Sequence, residues 1–197
     1  VKELIENSLD AEANNIKIII KDKPITVIKV TDDGTGMDKN DCLLSVERHA
    51  TSKLETAKDL FAIKTLGFRG EALASMAAIA NVKITTKTQE SETGYFVEAE
   101  NTGIINQGQI GAPEGTTIKV AELFFNTPVR KNYLKGPITE FNKILDVVSR
   151  YALLRKDVKF TLIHNDKNVL SSQKTDDIFS NIVALYGKDV AKKLIPI

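Results

Sequence analysis

KELIENSLDA, residues 2–11, decides how the rest of the chain is read. As part of a helix over 1–13 it sets Glu3 and Asn7 one turn apart on one face. Asp10 follows three residues after Asn7, and Ala11 four residues after. Leu4, Ile5 and Leu9 supply an apolar stripe on the remaining surface. A polar stripe beside a buried one has two readings: a solvated helix face, or the wall of a ligand site. A glutamate can hold and deprotonate a water. An amide oxygen one turn away can ligate Mg²⁺, a hard cation that keeps waters and phosphate oxygens in its shell. The decapeptide alone leaves both readings open.

Outward from this helix the pattern alternates. IKIIIK (16–21) and ITVIKV (25–30) are rich in β-branched residues and flank a tight DKP turn, so two strands are expected. TDDGTGMDKND (31–41) is turn chemistry, followed by a helical pattern over 39–47. Residues 48–70 are mixed, with a short helix near 55–62, and 70–80 read as a small-residue helix. Strands are expected over 81–88, 94–100, 103–109 and 115–124, with 126–134 as a connector. The longest periodic helix spans 137–155. Strands near 158–164 and 167–172 follow, then a helix near 175–186, and AKKLIPI (191–197) reads as the start of a strand. The fold class expected is an α/β (α+β) two-layer sandwich: a mixed, mostly antiparallel sheet with helices on one face. No regular strand–helix–strand rhythm supports a doubly wound parallel sheet.

Composition narrows the function classes. Lys and Arg number 27 against 26 Asp and Glu, so whole-chain charge gives no argument for a polyanionic partner. Cys42 is the only cysteine, which excludes an internal disulfide framework and suits a reducing compartment. No apolar run approaches the roughly 18 residues of a membrane span. The chain has no initiator Met and no capping residue before its first helix, which suggests a piece cut inside an element.

Three further stretches carry chemistry. In VTDDGTGMD (30–38) a strand gives out at Asp32, and Gly34 and Gly36 let a ligand approach the backbone. The spacing matches neither an EF-hand loop nor the dinucleotide fingerprint, whose third Gly would fall at Lys39. In LGFRGEALAS (66–75), Gly67 and Gly70 bracket Phe68 and Arg69 ahead of a helix, a ready anion site. No Walker A motif is present; Lys53 follows ATS without glycines. EGTTIKV (114–120) offers Thr116 and Thr117 at a strand start. Each has a plain alternative: a turn, a helix start, a strand former.

Their order carries the resemblance. Glu-x-x-x-Asn, Asp-x-Gly-x-Gly, Gly-x-x-Gly and Gly-Thr occur in that succession, which resembles the ATP site of the Bergerat (GHKL) fold. That fold is shared by gyrase B, the histidine kinases, the ninety-kilodalton heat-shock chaperones and MutL. KELIENSLDA, RHATSK (48–53), GFRGEALASMAAIA (67–80) and LFFNTPVRKNYLK (123–135) resemble MutL, the DNA mismatch-repair ATPases, over nearly the whole chain. One departure is Asp33, where the family usually has Asn.

The resemblance implies an ATP- and Mg²⁺-dependent ATPase. Glu3 is implied as general base and Asn7 as the Mg²⁺ ligand. Asp32 is implied to accept from the adenine amino group, with Ala11 and Gly36 beside the nucleotide. Thr51, Ser52 and Lys53 would make lid-side contacts. Gly67, Phe68, Arg69, Gly70, Glu71, Ala72 and Leu73 would form the phosphate loop, and Thr116 and Thr117 would lie near adenine. The implied partners are a second MutL-type subunit, as homo- or heterodimer, a MutS-type mismatch-recognition protein, and DNA. The implied location is cytoplasmic, or nuclear in a eukaryote, with no membrane. Residues 1–172 would be the ATP-binding domain and 173–197 the lead-in to a second, transducer-like domain. Two alternatives stand: a nucleotide-gated binding module with negligible turnover, separable by single-turnover hydrolysis, and another member of the superfamily, such as a histidine kinase. His49, in a loop, and His164, at a strand end, fit a phospho-acceptor poorly.

Overall fold

The computed structural model describes residues 1–22, 27–47, 71–175 and 177–193. Thr51, Ser52, Lys53, Gly67, Phe68, Arg69, Gly70 and the short helix expected near 55–62 lie outside the described residues. The elements are α1 (Lys2–Asp10), β1 (Asn15–Lys21), β2 (Val27–Asp32), α2 (Lys39–Leu44), α3 (Ala72–Ala77), β3 (Asn81–Lys87), β4 (Gly94–Glu100) and β5 (Gly103–Ile110). They continue with β6 (Gly115–Ala121), α4 (Pro128–Asn132), α5 (Pro137–Leu154), β7 (Lys159–His164), β8 (Lys167–Ser171), α6 (Ile178–Tyr186) and α7 (Lys188–Ala191).

The strands form one eight-stranded sheet in the order β5-β4-β3-β6-β2-β1-β7-β8. Every pairing is antiparallel except β1 with β7, which run parallel. That one parallel pair follows from the helical crossover through α5, which returns the chain to the sheet in the same direction as β1. Two-residue turns join β4 to β5 and β7 to β8. Asn101, Thr102, Asn165 and Asp166 take positive φ there, matching the twist of the flanking strands.

Alternation sorts the sheet into two faces. Ile16, Ile18 and Ile20 of β1, Val30 of β2, Val82 and Ile84 of β3, and Val97 and Ala99 of β4 point into one core. Ile118 and Val120 of β6 and Phe160 and Leu162 of β7 join them. Over this face lie Leu4, Ile5 and Leu9 of α1, Leu73 and Ala77 of α3, and Phe141, Val148 and Ala152 of α5. The expected two-layer sandwich is therefore the observed architecture. On the opposite face Lys29, Lys119 and Lys83 stand directly across from one another on β2, β6 and β3. No helix among the described residues is long and apolar enough to cross a membrane.

Several boundaries differ from the sequence reading. Helix α1 stops at Asp10, not 13. The N–H groups of Ala11, Glu12 and Ala13 turn back onto Asn7, Leu9 and Ser8 carbonyls, and Glu12 takes φ 57°. β6 ends at Ala121, three residues early. Glu122 and Phe124 adopt positive φ, and Phe124 N–H leaves the ladder to donate to the Ile79 carbonyl at 2.7 Å. The connector 126–134 contains α4, started by Pro128, whose fixed φ suits a first helical turn. The helix expected from 175 begins at Ile178, because Asp177 caps it by accepting from Phe179 and Ser180 N–H. AKKLIPI does not begin as a strand: Ala191 closes α7, Lys192 and Lys193 form a turn, and 194–197 are outside the described residues.

Candidate functional site

Asp32 is the centre of the site. It is the last residue of β2 and sits on the core side of the pleat, 8% exposed. A carboxylate at a core position needs partners, since an unpaired buried charge is very costly. Its Oδ1 accepts from Gly34 N–H at 3.1 Å and from Thr116 N–H at 3.2 Å. Its Oδ2 accepts from the Ser8 hydroxyl of α1 at 2.7 Å. Burial still outweighs these three donors and pushes the Asp32 carboxyl above the ordinary carboxylate range. One helix, one turn and one strand start thus converge on a single carboxylate.

The turn after Asp32 is built around close backbone approach. At Gly34 a Cβ would come 2.5 Å from the Ala11 carbonyl oxygen, and the same oxygen accepts from Thr35 N–H at 2.9 Å. Gly115 has φ +101°, and a Cβ there would meet the Asp32 carbonyl at 2.1 Å. Ala11 is therefore brought against the glycine turn through the backbone, and Gly36, with φ +70°, packs its backbone on the Lys87 carbonyl at the end of β3.

Asp33 takes a structural part. It accepts from Asn14 N–H at 2.8 Å, Asn15 N–H at 2.7 Å and the Asn15 side-chain amide, fixing the α1–β1 connection. Burial alone would raise its pKa, but the donors from Asn15 and Asn14 together hold it below the usual value. The adenine contact was assigned to Asp32, and the partners of Asp33 here belong to the scaffold.

Two residues of the cluster, Thr86 and Ser8, were given no role in the sequence analysis. Thr86 accepts from Met37 N–H at 2.9 Å and lies 3.1 Å from the Gly115 carbonyl and 3.0 Å from the Thr116 hydroxyl. It ties the glycine turn to both β3 and β6. Ser8 occupies a buried α1 position, 3% exposed, beside Ile5 and Leu9. The available signal was a polar residue in an apolar register: Thr86 continues the Val82–Ile84 face, and Ser8 follows Leu4 by one turn. Thr117 differs from the expectation. Alternation turns its hydroxyl to the other face of the sheet, where it donates to Thr31 at 3.1 Å, so its side chain does not join the Asp32 cluster.

Helix α1 presents Glu3 with its side chain 53% exposed and Asn7 half-buried one turn on. Lys2 lies 3.9 Å from Glu3 and 2.9 Å from Glu6. Of the expected phosphate loop, Glu71, Ala72 and Leu73 are described. α3 begins after Glu71 with no side-chain cap, and Leu73 is 8% exposed in the core, which leaves its backbone as the group available to a ligand. No group of three or more His, Cys, Asp or Glu side chains among the described residues could hold a metal ion.

Comparison with known proteins agrees with this fold. Residues 1–124 match the family model described as Histidine kinase-, DNA gyrase B-, and HSP90-like ATPase. The chain is 44% identical over all its 197 residues to the DNA mismatch repair protein MutL of Christiangramia forsetii, and 43% identical to that of Symbiobacterium thermophilum. It spans 32% and 31% of those relatives. Among solved structures it resembles the Aquifex aeolicus MutL ATPase domain complexed with ADP. There the TM-score is 0.75 at 30% identity, over 94% of this chain and 66% of that one. It also resembles the N-terminal domain of a DNA repair protein. In that case the TM-score is 0.78 at 34% identity, over 94% of this chain and 56% of that one. With a family model matched from Val1 through the Asp32 cluster and MutL relatives along its whole length, the chain belongs to the histidine kinase-, DNA gyrase B- and HSP90-like ATPase family, in its MutL branch.

Proposed function

We propose that this chain binds ATP against Asp32 and hydrolyses it with Glu3 as general base. The observation that carries the reading is the buried Asp32 carboxylate, held in one orientation by Ser8, Gly34 and Thr116. An ionised carboxylate only accepts hydrogen bonds, and adenine offers an amino donor where guanine offers a carbonyl. A buried acceptor left without its donor makes such discrimination strong. That a MutL ATPase domain from Aquifex aeolicus was solved with ADP supports the same ligand here.

The residues fit a Mg²⁺–nucleotide better than a protein-bound metal. Asn7 is a single carboxamide on the α1 face, with no carboxylate cage around it among the described residues, and Mg²⁺ is habitually held by one or two protein oxygens plus phosphates and waters. Bound Mg²⁺ would supply neutralisation of the phosphate charge. Asn7 would supply its fixed protein oxygen. Glu3, reachable from solvent, would accept the proton of the attacking water. Backbone N–H groups from Glu71 to Leu73, with Gly67, Phe68, Arg69 and Gly70, would face the phosphates, and Thr51, Ser52 and Lys53 would contact them from the lid side.

At the level of the whole protein we read an ATP-gated dimeric clamp in DNA mismatch repair, pairing with a MutL-type subunit and working with a MutS-type protein on DNA. Residues 1–172 are read as the nucleotide unit and 173–197 as the lead-in to a second domain. Exposed Ile178, Phe179, Tyr186 and Val190 support that last division.

The test is Asn7→Ala in limited proteolysis. With a non-hydrolysable ATP analogue and Mg²⁺, the parent should gain protection across 48–70, and the variant should not. Equal protection in both would make Asn7 part of a solvated helix face.

A further inference from the structure

We propose that Glu6, held in place by Tyr151, keeps the Lys2 ammonium off Glu3, which makes Glu6 and Tyr151 positioning residues for the proposed base. The inference rests on the reading of Glu3 as the residue that accepts the proton.

Lys2 has two carboxylates within reach on α1, and it is engaged by only one. Its Nζ lies 2.9 Å from Glu6 Oε1 and 3.0 Å from Glu6 Oε2, but 3.9 Å from Glu3 Oε1. A lysine one turn N-terminal to its glutamate is the weaker orientation of a helical ion pair, so helix geometry alone does not explain the preference. Burial does. The Glu6 side chain is 9% exposed, against 53% for Glu3. A nearly buried carboxylate cannot fall back on water and must keep its partners.

The second partner comes from the far end of the chain. The Tyr151 hydroxyl of α5 donates to Glu6 Oε1 at 2.7 Å. Burial first, and Glu6 second, push the Tyr151 pKa upward, so the phenol stays protonated and acts as a donor. The hydrogen bond to Glu6 likewise raises the pKa of Lys2 and keeps it charged. Among the described side chains, Lys2 of α1 and the Tyr151 phenol of α5 are the titratable groups that feel the Glu3 charge.

The consequence for Glu3 is chemical. An ammonium bonded directly to it would occupy the lone pairs a water needs and would lower its affinity for a proton. Held at 3.9 Å, Lys2 leaves the Glu3 lone pairs open to water. The structure thus contains a latent competitor for the base and a buried carboxylate that restrains it.

The test is a double-mutant cycle read at Glu3 itself. The carboxyl-carbon NMR titration midpoint of Glu3 is measured in the parent, Lys2→Met, Glu6→Gln and the double variant. Removing Lys2 should raise that midpoint by only about 0.2 in the parent, since the pair is loose and exposed. In the Glu6→Gln background the same removal should raise it by about 0.5 or more, because Lys2 has moved onto Glu3. Single-turnover ATP hydrolysis should fall about three- to tenfold in Glu6→Gln and recover in the double variant, a fraction of what loss of a general base removes. A merely structural role for Glu6 would slow the single and double variants alike. Equal Lys2→Met shifts in the two backgrounds would overturn the inference. Unequal shifts with unaltered hydrolysis would leave the restraint standing and remove Glu3 as base. Tyr151→Phe keeps the ring packing and provides a second background if Glu6→Gln does not fold. An intermediate shift is expected there, and one equal to the parent's would count against the proposal.

Discussion

The Ser8 hydroxyl of α1 and the Asp32 carboxylate of β2 meet at 2.7 Å across the core, 24 residues apart in sequence. The Leu4 carbonyl lies 3.1 Å from the same hydroxyl and offers its proton an alternative acceptor. Ser8→Ala removes the only side-chain donor described for Asp32 and leaves Oδ2 buried and unpaired. It should cost about 1–3 kcal/mol of stability and weaken ATP binding. Urea unfolding and calorimetric titration measure both, and an unchanged variant would show that Ser8 does not orient Asp32.

Asp32→Asn should separate binding from folding. The amide oxygen can keep the Gly34 and Thr116 N–H donors, while the amide nitrogen can donate to Ser8, whose proton then turns to Leu4. ATP affinity should drop, because a charge-assisted acceptor becomes a neutral group with donors of its own. The pH dependence follows from the sign of the shift. Burial raises the folded-state pKa of Asp32 above 3.8, so the folded protein binds the proton more tightly. Its stabilising contribution is full below 3.8 and is lost as pH rises through the raised value. The parent should therefore lose stability relative to Asp32→Asn between acid and neutral pH, as followed by thermal unfolding. A gap that does not change with pH would refute the burial argument.

Gly115→Ala should be worse than a glycine-to-alanine change elsewhere. It combines φ +101° with a Cβ 2.1 Å from the Asp32 carbonyl, whereas at Gly111 nothing lies within 4 Å. More than about 1 kcal/mol should be lost at Gly115, with ATP affinity falling alongside. Gly111→Ala is the control in the same unfolding assay and should change stability little. Similar losses at both positions would argue against close approach.

Lys119→Thr should stabilise the fold. Lys119 stands between Lys29 and Lys83 in register, and among the described residues only Lys83 has a direct carboxylate partner there, Glu98 at 2.7 Å. Directly opposed like charges cost roughly 0.2–1 kcal/mol, and threonine suits a strand. A gain of that size should appear at low salt and shrink at high salt. A loss would mean that the lysine row stabilises the sheet.

Much of this was legible in the sequence because period and punctuation agree. The β-branched runs of β1 and β2 and the long periodic α5 left little choice of element, and Leu4, Ile5 and Leu9 are buried as their spacing requires. What escaped was decided by tertiary partners. Strand β6 stops where Phe124 finds Ile79, a contact no local pattern encodes. Ser8 and Thr86 read as ordinary helix and strand residues until β2, β3 and β6 bring them to Asp32 and Gly115. Tyr151 lies 145 residues from Glu6, and only the placement of α5 and α1 on the same face of the sheet makes them neighbours.

Glu3→Ala, measured for ATP affinity and for turnover in the same preparation, tests the central claim most directly. Glu3 is exposed and is assigned to the water, while Asp32 is assigned to the adenine. Affinity should stay within about twofold of the parent, while turnover should fall by about 10²–10⁴-fold. Turnover that survives unchanged, or affinity that disappears together with it, would contradict the assignment of Glu3 as the base.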